Sequence, residues 1–254
     1  MDFHLNGKTA LITGASKGIG LSCAKGFAAE GCNLHLASRT EADLQRATDD
    51  IRSQHQVNVT IHPIDIAEKG SAEKLAAACG HIDILVNNAG AIPPGDLWTV
   101  DEERWRDAWN LKMFGYINLS RAVYPALKAK GGGVIVNVLG MAGFSPNFAY
   151  IAGSTGNAGL MHFTRSMGGR STDDGIRVVG CNPGLVVTER MITMCKGRAV
   201  DKFGDESRWQ EMVQQSPPPG KPEEIADLVI YLASERASHI SGTVINIDGG
   251  ASSR

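Results

Sequence analysis

"TALITGASKGIG", residues 9–20, is the stretch on which the fold turns. Residues 9–13 form a short apolar run of strand type, and Gly14, Gly18 and Gly20 crowd the turn into the helix expected over 18–30. Glycine lets the backbone bend tightly and lie close to a ligand. The free N–H groups at the start of the helix then point at a negative charge, and a dinucleotide pyrophosphate is the natural guest. The spacing differs from G-x-G-x-x-G, and glycine clusters mark turns of many kinds, so this motif alone leaves a purely structural turn open.

Outward from that turn, short apolar runs alternate with amphipathic stretches along the whole chain. Seven strands are expected, at 9–13, 33–37, 57–62, 82–87, 133–138, 176–181 and 243–247. Helices fall between them, at 18–30, 41–54, 70–79, 101–128, 149–171 and 222–234. This pattern predicts an α/β fold of Rossmann type: one doubly wound parallel seven-stranded sheet covered on both faces, as a single domain over residues 1–254. Residues 189–220 break the rhythm, being helical in parts and ending in three prolines. An excursion that long suggests a lid over a substrate pocket, with a surface helix pair as the plainer alternative.

Bulk numbers narrow the function. A chain of 254 residues with 43% hydrophobic and 20% charged residues suits one soluble domain with an ample core. A formal charge of −2 gives no broad attraction to nucleic acid or anionic lipid, so neither is an expected partner. No segment carries the ~18 apolar residues of a membrane span, and no basic start leads into a long apolar run. The five cysteines are odd in number and scattered, which points to reduced thiols in a cytoplasm. The histidines are scattered too, so no metal site is expected.

Several motifs then agree in order and spacing. They are T-G-x-x-x-G-x-G at 13–20, "NNAG" at 87–90, Asn110, Tyr150, "NPGLVVT" at 182–188 and "GTVINIDGG" at 242–250. Together they resemble the short-chain dehydrogenase/reductase family over nearly the whole chain. The resemblance implies an NAD(P)-dependent oxidoreductase that moves a hydride between nicotinamide and a small carbonyl or alcohol substrate. It also implies a homo-oligomer, tetramer or dimer, in which the apolar stripe of 101–127 is paired; the same stripe can equally face the sheet.

Laid on this sequence, the resemblance implies that Gly14, Ser16, Lys17, Gly18, Ile19 and Gly20 cradle the pyrophosphate. Asn88, Ala89 and Gly90 would pass the adenosine ribose, and Asp65 with Ile66 the adenine. Pro183, Gly184 and Thr188 would hold the nicotinamide, with Tyr150 and Ser154 near its ribose. Where an acidic residue would select NAD(H), the second strand ends in Ser38 and Arg39, with Lys17 facing them. Two cations there favour a 2′-phosphate, so NADP(H) is the expected cofactor. If Arg39 stacks on adenine instead, NAD(H) serves.

The chemical site is where the pattern departs from the family. Tyr150 and Asn110 are the expected catalytic residues, but the Lys four residues after the Tyr is Ser154, and the Ser after the fifth strand is Gly140, beside Leu139. Lys112, two residues from Asn110, is expected to face away into solvent. Without a nearby cation a Tyr keeps a pKa of about 10 and is almost wholly neutral at pH 7, suited to protonating an alkoxide and poor at deprotonating an alcohol. A bias towards carbonyl reduction is expected. The other reading is a non-catalytic dinucleotide-binding protein, a redox sensor or a silent partner subunit. Phe144, Phe148, Met141, Leu185, Met191 and Met194 are the expected apolar pocket wall.

Overall fold

A computed structural model describes residues 2–213 and 217–254. Its seven strands are β1 (Thr9–Thr13), β2 (Asn33–Ser38), β3 (Val59–Pro63), β4 (Ile84–Asn87), β5 (Gly133–Val138), β6 (Ile176–Pro183) and β7 (Val244–Ile247). All neighbouring pairs are parallel, in the order β3-β2-β1-β4-β5-β6-β7. The order reverses between β1 and β4, and at such a reversal the loops leaving the strand ends diverge and open a crevice for a ligand.

Among the described residues, eight α-helices accompany the sheet: α1 (Gly18–Ala29), α2 (Glu41–Gln54), α3 (Ser71–Cys79), α4 (Glu102–Trp109), α5 (Gly115–Ala129), α6 (Ile151–Arg170), α7 (Glu189–Phe203) and α8 (Pro222–Ala233). Side chains alternate across a strand, so one apolar run feeds two cores. Ala10, Ile12, Ile84, Val86, Val134 and Val136 join one with α1, α2 and α8, around Phe27, Leu44, Ile51 and Val229. Leu11, Leu85 and Ile135 join the other with α3 and α5, around Leu75, Leu119, Val123 and Leu127. That double burial is why the strands read as unbroken apolar runs.

One element differs from expectation. The helix predicted over 101–128 is broken: α4 passes into one π-helical turn, Asn110–Phe114, before α5, with the Gly115 N–H reaching the Asn110 carbonyl. Single π turns widen a helix and re-aim its side chains. In 189–220, α7 is followed by a tight 3-10 stretch, Glu206–Val213, and residues 214–216 of that region lie outside the described residues. The two ends of the excursion are tied together, because the Val187 N–H donates to Gly220 O at 2.9 Å and the Gly220 N–H to Leu185 O at 2.9 Å. No helix among the described residues is long and apolar enough to cross a membrane. All five cysteines are free and buried.

Candidate active site

The glycine turn is held from both sides. Thr13 Oγ1 accepts the backbone N–H groups of Asn88 at 3.0 Å and Ala89 at 3.1 Å, while Asn88 Nδ2 donates to Thr13 O at 3.0 Å. The start of β1's turn and the end of β4 are thereby locked together. A Cβ at Gly20 would overlap Gly14 O and come within 2.5 Å of Asn88 Nδ2, so only glycine lets the helix start this close. The beginning of α1 has no acidic residue and no side-chain cap, which leaves its N–H groups to an anion.

A cleft of about 500 Å³ runs along this edge. Gly14, Ser16, Lys17, Gly18 and Ile19 line it, as do Ser38, Arg39, Asp65, Ile66, Asn88, Ala89, Gly90 and Thr188. Gly20 lies beneath, in the packing that shapes the turn. The residues fit a dinucleotide on two structural grounds. The cleft follows a backbone cradle that a Cβ would fill, and buried Ser38 Oγ at its far end lacks a hydrogen-bond partner among the described residues. The two expected cations stand at the mouth beside carboxylates, Lys17 Nζ 3.6 Å from Asp43 and Arg39 Nη1 4.0 Å from Asp65.

A second cavity, about 740 Å³, adjoins the first. Lys112, Leu139, Thr188 and Arg190 border both. Pro183 and Gly184 line the second cavity rather than the cleft. Its walls are mixed: Met141, Leu185, Met191 and Met194 are there as expected, but so are Ser145, Asn147, Asn157, Arg198 and Asp248. Phe144 and Phe148, expected in the wall, are more than half exposed, and Phe148 packs against Trp98 instead.

Tyr150 borders this second cavity, as the residue capping α6 rather than within it. Its ring folds back over Gly153, whose Cβ, if it had one, would overlap the ring. Burial raises the phenol's pKa above the ordinary value, against the opposing pull of the Arg190 guanidinium. Ser154 turns the other way: its Oγ accepts the Asn147 N–H at 3.1 Å and donates to Asn147 O at 3.3 Å, and it borders neither cavity. The α6 residue that lines the cavity is Asn157, one turn after Gly153. Asn157 Nδ2 donates to Gly153 O at 2.8 Å, and its buried Oδ1 lacks a partner among the described residues. Gly140 lies opposite, where a Cβ would come 3.4 Å from that Oδ1.

The expectations for Asn110 and Lys112 are exchanged. Asn110 is exposed and borders neither cavity. Lys112 turns inward: its stem crosses Gly90, where a Cβ would stand 2.8 Å from Lys112 Cδ, and Nζ donates to Leu139 O at 3.1 Å. The two residues do point apart, as their spacing requires, but the π turn after Trp109 and the anchoring of Trp109 Nε1 on Ala152 O at 3.0 Å set which one faces in. A signal was present. Lys112 stands four residues after Ala108 and four before Tyr116, both buried, so it belongs to their helix face. Burial, and then the positive charge of Arg190, lower its pKa to about 8. Arg190, which the sequence reading passed over, donates to Gly90 O at 3.1 Å and Ile92 O at 2.9 Å, fastening the first turn of α7 to the loop after β4.

Away from this edge, the supposedly scattered histidines do meet. His35 Nδ1 and His62 Nε2 lie 2.8 Å apart on neighbouring strands, with Cys79 Sγ 3.7 Å from His62 Nε2. The three ligand-type atoms lie within 4.8 Å of one another.

Comparison with known proteins agrees with this architecture. The family model for short chain dehydrogenase matches residues 8–198. Galactitol 2-dehydrogenase (L-tagatose-forming) of Cereibacter sphaeroides is 32% identical, over 98% of this chain and 96% of that protein. The 3-oxoacyl-[acyl-carrier-protein] reductase of Chlamydia muridarum is 31% identical, over 98% of this chain and 99% of its own. Among solved structures, L-sorbose reductase from Gluconobacter frateurii, complexed with NADPH and L-sorbose, superposes with a TM-score of 0.94 at 31% identity, covering 100% of both chains. A 7α-hydroxysteroid dehydrogenase complexed with NADH gives 0.85 at 29%, covering 98% of this chain and 96% of that one.

Proposed function

This chain belongs to the short-chain dehydrogenase/reductase family, and from that premise we propose that it is an NADP(H)-preferring reductase of small carbonyl compounds. The observation that carries the reading is the junction of the two cavities at Lys112, Leu139, Thr188 and Arg190, where a ligand in the dinucleotide cleft meets one in the second cavity. The relatives are named dehydrogenases and reductases, and solved neighbours hold NADPH or NADH, so a nicotinamide dinucleotide is the cofactor class.

When bound, the reduced nicotinamide supplies a hydride. The chain's own residues must bind it, position a carbonyl beside it and deliver a proton to the oxygen. Gly14 to Ile19, with Asn88 to Gly90, hold the dinucleotide, and Lys17 and Arg39 favour a 2′-phosphate. Helix α7 walls the second cavity through Arg190, Met191, Met194 and Arg198. The neutral phenol of Tyr150 donates a hydrogen bond to the carbonyl oxygen. Its ring fills the space that a side chain at 153 would take, so a phenol reaches the cavity from a different backbone position. With polar groups and methionines mixed in its walls, the cavity suits a carbonyl compound that carries hydroxyl or acidic substituents.

One specific feature supports a non-catalytic binding protein instead. Where the family resemblance calls for Ser and Lys the chain has Gly140 and Ser154, and the α6 residue that lines the cavity, Asn157, carries no charge. A panel of ketoses, oxo acids and cyclic ketones, assayed with NADPH and NADH, separates the two readings. Tyr150→Phe is expected to lower kcat by a factor on the order of 10 to 100, with NADPH affinity unchanged. A natural chain that binds NADPH and turns over nothing defeats the reductase reading. It is replaced outright if the variant Gly140→Ser, Tyr150→Ala, Gly153→Tyr, Asn157→Lys then gains activity.

A further inference from the structure

Lys112 has an unusual setting for a lysine. Its stem is pressed against the Gly90 backbone, and its ammonium stops at the wall shared by the two cavities, held by one neutral acceptor, Leu139 O. An ammonium carries three donors, so two remain for whatever occupies the cavities. No side-chain carboxylate among the described residues pairs with it, and the charge that bears on it is that of Arg190, of the same sign. A structural lysine buries its stem and sends its head to water or to an acid. This one buries its stem and turns its head into the cavities, with no acid beside it among the described residues. An unpaired cation turned inward costs free energy unless a ligand offsets it, and the ligand here must bring oxygen with developing negative charge.

We propose that Lys112 is the catalytic proton donor of this site, its ammonium protonating the substrate oxygen while the phenol of Tyr150 orients it. The inference rests on the reductase reading. On the protein side, an O–H bond forms at the substrate oxygen as an Nζ–H bond of Lys112 breaks. The hydride comes from the reduced nicotinamide and the electron pair of the carbonyl π bond stays on oxygen. The neutral amine left behind regains its proton from water, reached through the second cavity. Position 112 thus provides from the π turn the positive charge that α6 lacks at Ser154 and at Asn157.

Titratable groups face Lys112 from several elements: Arg190 on α7, Cys181 on β6, Tyr116 on α5 and, across the cavity, Tyr150 and Asp248. Burial holds the Cys181 thiol neutral, with its pKa pushed up to about 12, and raises that of Tyr116 well above the ordinary value. That leaves Lys112 as the group that changes charge near pH 8. Reduction therefore falls as pH rises through about 8, because the acid form is lost.

Three proteins decide the matter: the natural chain, Lys112→Met and Lys112→Arg. Arginine keeps the charge but cannot give up a proton at these pH values. The expected result is kcat lowered on the order of 100-fold or more in both variants, NADPH binding by fluorescence retained, and the alkaline limb near pH 8 gone. A second readout needs no turnover. Acetic anhydride labelling, followed by peptide mass spectrometry across pH, should show Lys112 titrating near pH 8 and shielded by NADPH. Active variants that keep the alkaline limb overturn the assignment to Lys112 and leave the reductase reading standing. So does Lys112 labelling like an exposed lysine. A natural chain without turnover overturns both.

Discussion

The two halves of the ligand-binding edge are built by different rules. Between β1 and β4 the requirement is shape: glycine where backbone must touch backbone, Thr13 and Asn88 tying two strand ends together, and N–H groups left free. Along β5, β6 and α6 the requirement is reactive side chains, and there two of the groups that the family resemblance leads one to expect, a Ser and a Lys, are absent. Gly140 and Asn157 line the cavity there, while Tyr150, capping α6, and Lys112, from the π turn, bring a phenol and an ammonium to its wall. A shape made by the main chain has few substitutes. A proton donor can be supplied from any backbone position that aims it at the same place, so chemistry moves through a fold more freely than a cradle does.

The most severe way to break that comparison is at Gly20. Gly20→Val puts a branched side chain into Gly14 O and Asn88 Nδ2, neither of which can yield without unlocking β1 from β4. Overpacking of this kind costs about 1–3 kcal/mol, occasionally more. Urea unfolding should show at least that loss, together with NADPH binding too weak to detect. Binding that survives would mean the cradle is softer than its packing implies. Gly140→Ala should pass almost unnoticed, because a Cβ there meets Asn157 only at ordinary contact distance.

The same contrast explains how much was legible beforehand. Strand periodicity and the glycine turn specify main-chain shape locally, so the seven strands, their parallel winding and the dinucleotide cleft could be read from the chain. The second cavity depends on side-chain direction, which local pattern fixes poorly. A Tyr followed four residues later by Ser looks like a helical pair, but α6 begins at Ile151, so Tyr150 lies outside it and Ser154 turns to Asn147. Asn110 and Lys112 were exchanged because the π turn was not foreseen, although Lys112's spacing from Ala108 and Tyr116 held the clue. Arg190 could not have been found from spacing, since its partners, Gly90 and Ile92, lie far away in the chain.

A smaller effect sharpens the comparison inside the cleft. If recognition there is shape plus a few charges at the mouth, cofactor choice should change without loss of the fold. Arg39 is largely exposed, and its partner Asp65 is 4.0 Å away, so removing it costs little stability. Arg39→Glu is expected to raise KM for NADPH on the order of 10-fold or more, through loss of one charge-assisted contact and gain of a repulsive one. Stability and KM for NADH should be nearly unchanged. Equal effects on the two cofactors would place Arg39 on the adenine rather than on the 2′-phosphate.

The smallest effect concerns the outer strands β2 and β3, beside the cradle. His35 on β2 and His62 on β3 share one hydrogen bond, which requires at least one neutral ring. Burial lowers both pKa values, and for His62 the charge of His35 adds to it. A histidine whose pKa is lower folded than unfolded stabilises the fold above the unfolded value, about 6.5, and that stability is lost as pH falls through the folded value. Each ring can contribute a slope of at most ~1.4 kcal/mol per pH unit, and less here because both are half exposed to water. Urea unfolding at pH 7.5 and pH 5 should therefore show a decline. His62→Gln keeps a polar side chain at that position without a titrating group, so its decline should be shallower. NADPH affinity, measured at pH 7.5, should be the same in both proteins, because the pair stands behind the cleft and does not line it. An equally steep decline in His62→Gln would trace the acid sensitivity to other groups and leave the β2–β3 pair a simple cross-strand contact.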